Sequence, residues 1–273
     1  MSAAAETVRA ADYDRYLSAL FAPASARAHL FTLYAFNHEV AKTAESVSQP
    51  LAGQIRLQWW RDRIAELYSG DSSAHALANA LGDAIAARKL PRELFASLID
   101  ARESDLEEMP FADLAGLESY VDATSGNVMR LAARILGAGD SLDREARELG
   151  IAYGLIGLCR ALPYHASRRR LILPQDRLGE LGISADDIFS GKMDANFTHL
   201  MNELVDSALA RFRIVSRTRL SRTVLPALLP GVVVPLYARI LSQPGFNPFR
   251  DSAEAPMHRR QLAMLRAMLR GRL

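Results

Sequence analysis

The chain has 273 residues, 49% of them hydrophobic and 23% charged, a balance that excludes a disordered, collagenous or low-complexity protein. Thirty-three basic residues against 31 acidic leave a net charge of +2, which gives no footing for a nucleic-acid partner. One cysteine, Cys159, excludes a disulfide framework and a cysteine-based zinc site, and the thiol reads as a small buried hydrophobe. Alanine (44) and leucine (39) favour helix over strand, and with only 7% aromatic residues the expected class is all-α.

Residues 1–10 carry no apolar run that could serve as a secretory leader, and are expected to be loose. Helical periodicity then predicts helices over 23–46, 51–68, 74–89 and 91–108, with Pro23, Pro50 and Pro91 at three of the starts. Leu114, Leu117, Val121, Val128, Leu131 and Ile135 form one apolar stripe, closed by Gly137-Ala-Gly139. Further helices are predicted over 144–162, 195–222, 224–242 and 256–270, with irregular chain over 163–192 and 243–255. Neither irregular stretch has linker composition, so residues 1–273 read as a single domain. The longest uncharged stretch, 223–238, is broken by Pro226, Pro230 and Pro235 and is too short to cross a membrane. The expected place is cytoplasmic, or peripheral on the inner face of an energy-transducing membrane.

Carboxylate pairs at helical spacing, Asp62/Glu66 and Glu103/Glu107, arise by composition alone and read as solvated faces. The six histidines show no ligand spacing. The last helix is directional: Leu262, Leu265 and Leu269 share one face, Arg259, Arg266 and Arg270 another, and no acid lies between 257 and 273. Such a helix either packs its apolar face on the domain or lies on an anionic bilayer.

Leu33-Tyr-Ala-Phe36, Leu98–Leu106, Tyr120–Val128, Gly150-Ile-Ala-Tyr-Gly-Leu155, Arg160 and Arg170–Pro174 occur in an order that resembles the squalene and phytoene synthases from about residue 20 to 250. The resemblance implies an isoprenoid (terpenoid) synthase type I fold, helices around a central cavity. In that family, aspartates on two facing helices hold Mg²⁺ against a prenyl diphosphate. Laid over this chain, the first set falls on Ala41, Lys42 and Glu45, and the second on Ala161 and His165. One carboxylate of five remains, which implies no metal site and no catalytic residue. Glu39, Glu45–Ser48, Gln58-Trp-Trp60 and Arg160-Ala-Leu-Pro-Tyr-His-Ala-Ser-Arg-Arg169 resemble a divergent branch, the mitochondrial respiratory complex I assembly factors related to phytoene synthase.

The branch resemblance implies a non-catalytic helper of complex I assembly, a pseudoenzyme with complex I subunits or other assembly factors as partners. The pocket residues it implies are Tyr34, Glu45, Asp105, Arg160, Tyr164, His165 and Arg170. A buried Arg160 needs a counter-charge, for which Glu45 and Asp105 are the candidates, or a retained anionic lipid or prenyl ligand. Two alternatives stay open: an active Mg²⁺-dependent farnesyl or geranylgeranyl diphosphate transferase, and an isoprenoid-lipid carrier. No cofactor is expected unless the transferase reading holds.

Overall fold

The computed structural model describes residues 2–47, 49–109 and 111–273. Fifteen α-helices follow one another: α1 (Ala3–Ala11), α2 (Tyr13–Leu20), α3 (Ala24–Ala41), α4 (Pro50–Ser69), α5 (Ala76–Arg88) and α6 (Arg92–Ala101). After them come α7 (Leu114–Val121), α8 (Asn127–Ile135), α9 (Asp143–Ser167), α10 (Gln175–Glu180) and α11 (Ala185–Phe189). The last are α12 (Ala195–Val215), α13 (Leu225–Leu228), α14 (Val234–Leu241) and α15 (Met257–Arg270). No strand occurs among the described residues.

Helix α9, 25 residues long, is the axis of the molecule; α12 lies along it, with α8 and α14 also against it. Glycine decides how near the next layer comes. A Cβ on Gly150 would stand 2.6 Å from the Gly126 Cα and 2.8 Å from the Ser125 carbonyl, so backbone meets backbone there. Residues Asp122–Gly126 form a π-helical turn that joins α7 to α8. The apolar stripe of 114–135 therefore survives as two helices with one widened turn, and Leu117, Val121, Val128, Leu131 and Ile135 are all buried.

Several expectations need correction. Residues 1–10 are not loose: Ser2 caps α1, and Ala5 and Val8, three apart on one face, are buried against α3. The helix expected over 144–162 runs on through Pro163 to Ser167. That over 91–108 stops at Ala101 and tightens into a 3₁₀ turn, Arg102–Leu106. The segment 224–242 is cut by its prolines into α13, a 3₁₀ turn (Leu229–Val233) and α14.

Candidate functional site

A cleft of about 340 Å³ opens between the end of α3, the 3₁₀ turn after α6, and the end of α9. Its walls include Ala41, Glu45, Asp105, Tyr120, Tyr164, His165 and Arg170. Two of the positions where the family carries aspartates, Ala41 and Glu45, thus face a third, His165, across one cavity.

Asp105 is the hub, with its side chain only 6% exposed. Its Oδ1 accepts from the Tyr120 hydroxyl at 2.7 Å and from Arg170 Nη2 at 2.8 Å, and its Oδ2 accepts from Arg102 Nη1 at 3.1 Å. Burial alone would raise the Asp105 carboxyl, but the two guanidinium charges and these hydrogen bonds hold it below the usual carboxylate range. Burial, followed by the Arg170 charge, pushes the His165 imidazole down to about 4, so it is neutral at physiological pH. Burial and the neighbouring Glu45 carboxylate push the Tyr164 phenol up.

The backbone aims Arg170 at this hub. Helix α9 ends in a Schellman turn, with Arg169 N–H donating to the Ala166 carbonyl (2.9 Å) and Arg170 N–H to that of His165 (3.0 Å). Arg169 occupies the left-handed position at φ 54°, where glycine is usual, and the chain folds back over His165. Arg170 then also donates to the carbonyls of Ser104 and Glu107, tying α9 to the 3₁₀ turn.

Five of the seven expected residues, Glu45, Asp105, Tyr164, His165 and Arg170, therefore share one cleft, and two do not. Arg160 lies about 140° round α9 from His165. It stacks 3.8 Å above the Tyr237 ring and pairs with Glu254, not with Glu45 or Asp105. Tyr34 is buried behind the cleft, where Arg15 is stacked between its ring and that of Tyr153. Burial raises the Tyr34 phenol to about 12.

Arg102 and Tyr120 complete the hub and were missed. The i,i+3 spacing of Arg102 and Asp105 signalled the first; nothing local signals a tyrosine fifteen positions away. Past their side chains a second hollow of about 160 Å³ continues along α9 as far as Gly157, whose missing side chain leaves open space. Among the described residues, no group of three or more His, Cys, Asp or Glu side chains is placed to hold a metal ion.

Two apolar rows remain uncovered. On α4, Leu51 and Ile55 are each 63% exposed, and Trp59 continues the row, while Gly53 on the other side takes Leu106 from the cleft wall. On α15, Leu262, Leu265 and Leu269 are exposed, while Met264 and Ala267 pack inward. The sequence alternatives for this helix are thus divided between its faces: one packs on the domain, and the leucines do not. No helix among the described residues is long and apolar enough to cross a membrane.

Comparison with known proteins places this geometry among relatives. The family model for squalene/phytoene synthase matches residues 8–261. A Bos taurus protein named NADH dehydrogenase (ubiquinone) complex I, assembly factor 6, is 31% identical over 252 residues, spanning 91% of this chain and 76% of that protein. A Rhodopseudomonas palustris protein named presqualene diphosphate synthase is also 31% identical, over 230 residues, covering 83% of this chain and 81% of its own. The crystal structure of a dehydrosqualene synthase superposes with a TM-score of 0.82 at 14% identity, over 98% of this chain and 94% of that one, and shares the isoprenoid synthase fold.

Proposed function

The chain belongs to the squalene/phytoene synthase family, and on that footing we propose that it assists assembly of respiratory complex I without catalysing prenyl transfer. The observation that carries the proposal is similarity along 91% of the chain to a protein named as a complex I assembly factor.

The chemistry of the cleft supports it. An Mg²⁺ cluster needs several carboxylate oxygens free to face the ions. Here Asp105 has both oxygens engaged by two guanidiniums and a phenol, and Ala41 and Ala161 offer no donor. Glu45 and His165 are what is left, and His165 shares its side of the cleft with Arg168 and Arg170. This donor set does not fit a multinuclear magnesium site. The cleft serves instead as a charge-paired recess, able to take a small lipid or prenyl ligand beside Tyr164.

The partners in this reading are complex I subunits or other assembly factors. Leu51, Ile55 and Trp59 form a ridge at i,i+4 spacing suited to a neutral protein surface. The cations on or beside that ridge are already used: Arg56 by Glu39, Arg61 by Asp100 and Glu103, and Arg63 by Glu66. Because the complex being built is a membrane complex, the protein works peripherally on the inner face of the energy-transducing membrane.

The second reading, an active transferase, draws on the Rhodopseudomonas palustris relative. Membranes from a strain lacking the gene separate the two. Loss of NADH-driven oxygen consumption with succinate-driven consumption intact, restored by the gene, supports assembly. Normal NADH respiration, together with Mg²⁺-dependent pyrophosphate release from farnesyl diphosphate by the purified protein, would establish the transferase instead.

A further inference from the structure

Helix α15 is held to the body by one face and leaves another bare. At about 100° per residue, Arg260, Met264 and Ala267 fall together. Met264 and Ala267 are buried, and Arg260 Nη1 reaches Asp14 Oδ1 at 2.9 Å. The same Asp14 accepts from the Tyr237 hydroxyl at 2.9 Å, so α2, α14 and α15 meet at one carboxylate. Leu262, Leu265 and Leu269 lie within about 60° of one another on the outward side, 42%, 45% and 66% exposed.

On one side of this strip is an apolar cleft of about 250 Å³ lined by Leu17, Leu20, Phe21, Gln261 and Met264. On the other side Arg259, Arg266 and Arg270 share a narrow sector, about 40° wide. All three are exposed and, with Arg272, make no ion pair among the described residues. The arginines around the α4 row are ion-paired; these are not. Leucines that reach outward beside unpaired guanidiniums match a surface that is apolar beneath and anionic above.

We propose that this face of α15, with the cleft beside it, docks the folded protein on an anionic lipid bilayer. The leucines enter the acyl boundary, Arg259, Arg266, Arg270 and Arg272 meet lipid phosphates, and the helix lies in the plane of the interface. At 14 residues it is about 21 Å long, short of the hydrocarbon core, so it lies on the membrane. This deepens the membrane-side placement proposed above and rests on it, yet the test needs no respiratory complex.

The test is flotation of the full-length protein with vesicles of phosphatidylcholine alone, or with one third phosphatidylglycerol, at low salt and at 0.5 M salt. Binding should be at least tenfold stronger on the anionic vesicles and should fall with salt. Leu265→Ser with Leu269→Ser, and separately Arg266→Gln with Arg270→Gln, should each weaken it about tenfold or more without lowering the melting temperature. Ile55→Ser on α4 should leave it unchanged. Equal weak binding to both vesicle types, or double variants that float as well as the parent, would overturn the proposal. If the parent ignores vesicles while both double variants fail to restore NADH respiration, the face docks an acidic protein and the lipid assignment falls. If vesicle binding follows the prediction but respiration never depends on the gene, the docking face stands and the assembly reading fails.

Discussion

Replacing Asp105 by asparagine keeps its size and removes its charge, and the structure sets what that costs. Two guanidiniums, each on a side chain 14% exposed, lose their shared counter-ion. Breaking a buried ion pair from one side costs about 3–5 kcal/mol. The lower end applies here, because Arg170 keeps the Ser104 and Glu107 carbonyls, and Arg102 keeps the Tyr120 hydroxyl at 2.8 Å. About 3 kcal/mol is therefore expected, read as a fall of about 1 M in the urea midpoint at pH 7 for a slope near 3 kcal/mol/M. The charge hypothesis adds a second signature. Since the Asp105 carboxyl is held below the usual range, its contribution is complete above the unfolded value near 3.9 and vanishes as pH falls through the lower folded value. Asp105→Asn should thus destabilise strongly at pH 7 and much less in strong acid. Replacing all three groups, Asp105→Leu with Arg102→Met and Arg170→Met, should be less damaging than the single change. A loss under 1 kcal/mol at pH 7, or an equal loss at every pH, would refute the reasoning.

His165 titrates near 6.5 when unfolded and near 4 in the fold, so the unfolded chain binds the extra proton between those values. Stability should fall by about 2–3 kcal/mol as pH drops from about 6.5 to 4, and His165→Gln should remove that slope in pH-dependent urea titrations. Gly150→Ala drives a Cβ into the Gly126 and Ser125 backbone and should cost more than 2 kcal/mol, whereas Gly157→Ala, with open space around it, should be neutral or gain up to about 1 kcal/mol. Thermal melts of the pair decide the point, since both sit on α9. Cys159 is buried, which raises its thiol to about 12, so it should resist thiol reagents in the native protein and react only in denaturant.

How much was legible depended on the range of the interaction. The helices followed from local periodicity, and the pairing of Arg102 with Asp105 lay within one turn. Glu45, Asp105 and His165 come from three separate parts of the chain, and only the family resemblance brought them to one cleft. Arg160 shows the limit: burial was read correctly, but its partner, Glu254, lies 94 positions away in an irregular segment with no pattern to announce it. Pro163 was taken as a helix end, yet α9 runs through it, and that extra turn carries Tyr164 and His165 into the cleft. For α15 the sequence showed an apolar face and a basic face; it could not show that a third face, built on Arg260, Met264 and Ala267, would make the contact with the body.

The Asp14–Arg260 contact also bears on how the protein is made. The two residues are 246 positions apart, which at about 5–20 residues per second separates their synthesis by roughly 12 to 50 s. Throughout that interval the carboxylate on α2 has Tyr237 at best, and for most of it neither neighbour. Packing of α2 into its final place therefore waits for the last helix, and the body of the molecule closes only once the ribosome has nearly finished. Chains interrupted before Arg260 would carry an uncompensated acid in the interior and be marked out for proteolysis, so a single clasp lets the cell distinguish finished molecules from unfinished ones.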